Sequence, residues 1–214
     1  LIRPAVLSHT AISEETVPVD DIGQLNRQWG ICGFASSLYA LYAHNPQQGD
    51  SLAQAANTTT RMLAEIKTYL RLLQADELDG LLQEIQVFTR TFGGVFANFT
   101  IDTFIDNINA IVTKTDQQLA DLRDDQTWGI AMPPHAVVDY LQRVCDFRGA
   151  RLVQQIPNEA ILGLCSGPGM YRGLKHYVYL LGSTVYTWGE QHPNHGQDLF
   201  ASHGWQIGWA IAIR

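Results

Sequence analysis

Apolar positions along the first two-thirds of the chain recur at helical spacing, while those of the last third alternate or run together as strands do. Residues 1–27, rich in Ser, Thr, Asp and Pro, show little periodicity and read as an irregular lead-in. A helix is expected over residues 32–43, stopped by His44-Asn45-Pro46. From residue 51 to about 73, Leu52, Ala55, Ala56, Met62, Leu63, Ile66 and Leu70 fall at helical spacing. Further helices are expected over residues 76–92, where Gly93-Gly94 breaks the pattern, over 101–112 and over 117–122. Pro133-Pro134 opens one more, reaching about residue 147.

Beyond Gly149 the texture changes. Residues 151–156 and 160–164 are short strand candidates, and 177–181 and 185–188 flank Gly182-Ser183-Thr184, a hairpin signal. A last strand is expected over 205–213. Helices first and an antiparallel sheet second define an α+β fold. The expected division is one domain over 1–214, with the lead-in 1–27, a helical half 28–148 and a sheet half 149–214. The block 50–125 carries no repeat and no evident chemistry.

Charge and composition narrow the function classes. The 214 residues carry a net charge of −7 with no Lys/Arg cluster, which argues against a nucleic-acid partner. No apolar run is long enough to cross a bilayer, so no membrane partner is expected. No signal-peptide pattern opens the chain, and Leu1 stands where an initiator Met would, so a piece of a longer protein is expected. The Gly167-Pro168-Gly169…Gly173 turn lacks dinucleotide-fingerprint spacing, and no cofactor is expected. Cys32, Cys145 and Cys165 form neither a disulfide framework nor a zinc motif. Cys145 and Cys165 sit in apolar runs and read as small buried hydrophobes.

Cys32 differs. In Gln28-Trp29-Gly30-Ile31-Cys32-Gly33 a polar, glycine-punctuated loop reaches one cysteine at the point where an apolar helix starts. The free N–H groups and positive dipole end of that helix are expected to lower the thiol pKa and favour the nucleophilic thiolate. Gly30 and Gly33 allow close backbone approach, and Gln28 is placed to donate to an oxyanion. Nucleophilic chemistry needs a base, and His176, at the start of the apolar run Tyr177-Val178-Tyr179-Leu180, is the best-placed histidine. For the imidazole's orienting partner, the loop length of the following hairpin decides. A two-residue turn puts Gly189 opposite His176, a three-residue loop Glu190 and a four-residue loop Gln191; Glu190 is favoured. A competing set, Glu190, His192, His195 and His203, carries metal-ligand types without a helical zinc spacing. No metal is therefore expected.

Taken together, Gln28…Gly30-Ile31-Cys32-Gly33 entering a helix, with His176 on a later strand, resembles the papain-like cysteine protease superfamily. The texture is closest to bacterial secreted effector and toxin domains, YopT-like peptidases among them. The likeness covers about residues 24–40 and 170–214. It implies a papain-like fold, with Cys32 as nucleophile, His176 as base and acid, and an oxyanion donor. The superfamily's Gln lies six residues before the Cys, where this chain has Asn26, so Gln28 and Asn26 both stand as candidates. The superfamily's Trp-Gly after its orienting Asn aligns with Trp188-Gly189, which would put Tyr186 at the Asn position. The implied activity is that of an endopeptidase with a protein substrate in a target cell, delivered by a contact-dependent route such as type VI secretion and held off by a cognate immunity protein. A Cys–His glutamine deamidase or acyltransferase, and a helical adaptor in which Cys32 merely packs, are the alternatives.

Overall fold

A computed structural model describes residues 20–44, 58–111 and 121–214. The expected features at residues 1–19, at Leu52, Ala55 and Ala56, and at 117–120 lie outside these. Helices α1 (Asp20–Trp29), α2 (Cys32–His44), α3 (Thr58–Ala75), α4 (Asp79–Arg90), α5 (Ile101–Ile111) and α6 (Pro134–Arg143) come first. Then follow β1 (Arg151–Val153), β2 (Glu159–Cys165), the short α7 (Met170–Gly173), β3 (Leu174–Leu181), β4 (Thr184–Thr187), β5 (Glu190–His192), α8 (Gln197–His203) and β6 (Gln206–Ala212). The fold is α+β. The six strands form one antiparallel sheet in the order β1-β6-β2-β3-β4-β5.

α2 is the central helix. It is apolar nearly all round, as a helix enclosed on every side must be, and residues Gly33 to Ala40 are all buried. β3 and β4 lie on one side of it, with α1 and α6 on others. Its small residues keep the helix near its neighbours, and the buried Ser37 hydroxyl is satisfied by the Gly33 carbonyl at 2.8 Å. Phe34 meets Tyr140 and Tyr69 edge-on, at 4.9 and 5.9 Å between centroids. Side chains of this size contribute about 2 kcal/mol each when fully buried.

The sheet has two different faces because strand side chains alternate. Tyr177, Tyr179, Leu181, Ile161 and Ile211 join the core around α2. Val178, Leu180, Leu162, Leu164 and Val185 form a second cluster with Leu199 and Phe200 of α8. α8 stops at Gly204, whose left-handed conformation (φ 63°) and N–H bond to Ala201 close the helix and deliver Trp205 back to the sheet.

One element departs from the sequence reading. Residues 20–27, expected to be irregular, belong to α1. Ile22, Leu25 and Trp29 bury one stripe of it, and three apolar positions in ten residues are too few to stand out in a polar stretch.

Candidate active site

The site is built where β4 leaves the sheet. The hairpin after β3 has a two-residue turn, with Leu181 opposite Thr184. The β3–β4 pairing runs only from there to Tyr179–Tyr186. Trp188 (φ 52°) and Gly189 (φ 78°) then turn away in left-handed conformations. The first half of β3 is left without a β4 neighbour on that edge, and a backbone N–H freed from a ladder needs another acceptor. The acceptor is Cys32. The N–H of Tyr177 points at the Cys32 sulfur, as do those of Gly33 and of Cys32 itself at the start of α2.

α1 occupies the side that β4 vacates. Its Gly23 lies so close to the Trp188–Gly189 backbone that a Cβ would sit 1.8 Å from the Gly189 nitrogen. Arg27 of α1 pairs with Glu190 of β5 at 2.6 Å. This close approach carries Asn26 to the cavity.

The cavity, about 210 Å³, is lined by Cys32, His176, Asn26 and Trp188, among others. Its far wall is apolar: Phe88, Phe92 and Phe96, from α4 and the segment after it, face Met132 and Leu174. Thr89 ties that wall to the rest, its hydroxyl accepting from the Ala131 N–H at 3.0 Å and donating to the Ile85 carbonyl at 2.8 Å. The helical block, mute in the sequence, thus shapes the cleft.

His176 is 6% exposed and shares its face of the sheet with Val178 and Leu164 rather than with Tyr177. It therefore reaches the cavity from the α8 side of the sheet, whereas Cys32 reaches it from the α2 side. No hydrogen bond joins the two side chains. The imidazole Nε2 is hydrogen-bonded to Thr187 Oγ1 at 2.7 Å. Trp188 and Trp205 stack on the ring at 4.6 and 5.4 Å, and His203 stacks on Trp205 at 4.2 Å. Burial in this apolar nest, with the His203 charge as a second cause, pushes the His176 pKa down to about 3.

The expected acidic thiol is corrected. Enclosure pushes Cys32 up to about 11, and the three backbone N–H groups only partly offset the lost hydration. The resting cavity thus holds a thiol and a neutral imidazole. Cys145 and Cys165 are buried and also pushed upward by burial.

The remaining candidates separate clearly. Gln28 is exposed and does not line the cavity. Asn26 does and is 2% exposed, so of the two amides it is Asn26 that the fold brings to the cavity that also holds Cys32. Glu190 does not orient His176: with β4 ending at Thr187, it sits beyond the ladder, paired with Arg27 and, at 3.6 Å, with His192. Tyr186 faces the α2 core against Tyr179, on the wrong side of the sheet for the ring. Thr187 is the ring's partner. The two-residue turn sets it opposite Val178, on the His176 face and one diagonal step away, so strand parity was the signal that pointed to it.

Two other histidines are engaged away from the cavity. His44 ends α2 and bonds Glu159 at 2.5 Å, and His135 pairs with Glu84 at 3.1 Å. Among the described residues, no three His, Cys, Asp or Glu side chains group as a metal site would need. No helix among them is long and apolar enough to cross a membrane. Compared with family models, curated proteins and solved structures, the chain matches none.

Proposed function

We propose that this chain is a cysteine-nucleophile hydrolase of papain-like architecture that cleaves peptide bonds. The observation that supports it is one cavity receiving Cys32 from the start of a helix, His176 from a strand and the buried Asn26 side chain from a second helix. A base, a nucleophile and an oxyanion donor on three rigid elements are what acyl transfer needs. His176 takes the Cys32 proton as the sulfur attacks the substrate carbonyl. The Cys32 N–H and the Asn26 amide hold the oxyanion. The imidazolium returns the proton to the leaving amine, and water, activated by the same ring, then hydrolyses the thioester. Because the resting thiol is neutral, attack and proton transfer are coupled rather than successive. The aromatic wall offers the substrate's side chains a dry surface.

Incubation with a denatured protein mixture, followed by terminal sequencing, tests the reading. New N-termini are expected with the wild type and at least about 10³-fold fewer with Cys32→Ala. Asn26→Ala is expected to lower kcat roughly 10²-fold with a smaller change in KM, as loss of an oxyanion donor does. A Gln-to-Glu mass shift without new termini would move the same thiol to deamidation. Neither product, at any pH between 5 and 9, contradicts the reading.

A further inference from the structure

β1 stops short of its partner strand. It pairs with β6 only from Arg151 opposite Ala212 to Val153 opposite Ala210, whereas β6 runs back to Gln206. Among the described residues, 206–209 therefore have β2 on one side and no strand on the other. We propose that this free edge of β6 docks an extended, acidic segment of a partner protein, which adds to the sheet as a strand beyond the end of β1. The proposal is independent of the Cys32–His176 reading.

Backbone, shape and charge each favour such a partner. The unpaired edge of a strand presents N–H and C=O groups that take up an extended chain. One such group already draws a donor from outside the sheet: the Gly208 carbonyl accepts from Arg172 Nη1 at 3.1 Å. The chain bends away at Gln154, and the room it leaves is a groove of about 650 Å³. Leu152, Ile156 and Ile207 line it and are 40%, 46% and 40% exposed, half of the large apolar side chains that the described residues leave in water. Alternate side chains of an added strand would cover them. Arg172 also lines the groove, with its guanidinium 5.0 Å from the centre of the Trp209 ring, and Arg151 opens β1. Both arginines are exposed, and each donates to a backbone carbonyl rather than to a carboxylate. From residue 149 to 189 the chain carries Arg151, Arg172 and Lys175 against one acid, Glu159, which is held by His44 and Tyr179. In a chain of net charge −7 this part of the sheet is locally basic, and its complement is acidic. A second copy of this chain fits poorly. Two copies paired edge to edge about a two-fold axis would bring Arg172 towards its own counterpart, and like charges across a ladder are destabilising.

The test uses the full chain and a short peptide in which Val and Thr alternate between paired Asp residues. Fluorescence anisotropy reads its binding, and amide hydrogen exchange locates it. Binding is expected with a Kd below about 1 mM, with exchange slowed at residues 206–209 and unchanged around Cys32. Methylating the backbone nitrogens of the Val-Thr core keeps its side chains and removes its ladder donors. That change is expected to weaken binding at least about tenfold. Replacing the peptide's Asp by Lys, or Arg172→Glu in the protein, is expected to weaken it about fivefold. The proposal is overturned if the acidic peptide does not bind, if the methylated or the Lys peptide binds as well, or if the protected amides lie elsewhere. Protection of residues 206–209 that arises in the protein alone and grows with its concentration would give the edge to a second copy, and overturns it too. The peptide comparisons need no variant and decide the matter should Arg172→Glu fail to fold.

Discussion

The protein is expected to lose stability steeply in acid, and most of that loss is expected to vanish in His176→Phe. The folded state holds this imidazole neutral, with its pKa pushed down to about 3 from an ordinary 6.5. Between those values the unfolded chain binds a proton that the folded chain refuses, so stability falls as pH falls and is unaffected above the ordinary value. The slope is about 1.4 kcal/mol per pH unit, and across the window the loss is on the order of 5 kcal/mol. Domains of this size are stable by roughly 5–15 kcal/mol in all, so the effect is large. His203, stacked on Trp205, is the second cause of that depression after burial. Phe keeps the stacking against Trp188 and Trp205 and removes the titration. Urea unfolding at a series of pH values reads the slope directly; a wild-type profile that is flat between pH 6.5 and 4 would show that the ring is protonated in the folded state. The same neutral ring predicts that the acid limb of activity lies well below the usual histidine range.

The second large effect belongs to Gly23. A Cβ there meets the Gly189 nitrogen at 1.8 Å and its Cα at 2.3 Å, and both are backbone atoms that cannot swing aside. Gly23→Ala is therefore expected to cost about 3 kcal/mol or more, because α1 must back away from the β4–β5 turn. Backing away carries Asn26 from the cavity and breaks the Arg27–Glu190 contact, so Cys32 acylation falls together with stability. Gly80→Ala, near the start of α4 with open space around the added methyl, provides the contrast: it is expected to be neutral or to stabilise by up to about 1 kcal/mol. Equal small effects at both positions would mean that α1 is not held against the turn.

Local patterns were readable in the sequence, and long-range geometry was not. Cys32 stood out because a glycine-bracketed cysteine at a helix start is a local pattern, and His176 because its strand is. The α+β order followed from the change of period near Gly149. The hydrogen-bond partner of His176 was misplaced because it depended on where β4 ends. The turn length alone set Gly189 against His176, but the left-handed Trp188 and Gly189 end the ladder before that pair forms. Asn26 and Gln28 could be separated only once residues 20–27 were known to be helical, since two residues of helix are about 200° apart and put one amide inside and the other in water. The thiol's basicity was missed for a related reason. The helix start is a local feature that lowers a pKa, whereas enclosure by β3, α4 and the residue 130–132 segment raises it and is visible only in the assembled fold.

The central claim is that Cys32 and His176 act on one another across the free edge of β3. It is tested most directly by the burst of nitrophenol released when the protein meets p-nitrophenyl acetate at neutral pH, with the acetyl group located by peptide mass spectrometry. The account predicts one equivalent per chain, with the acetyl group on Cys32, and a burst at least about tenfold slower in His176→Ala. An acetyl group distributed over Cys145, Cys165 and surface lysines, or a Cys32 burst as fast without His176 as with it, would contradict it.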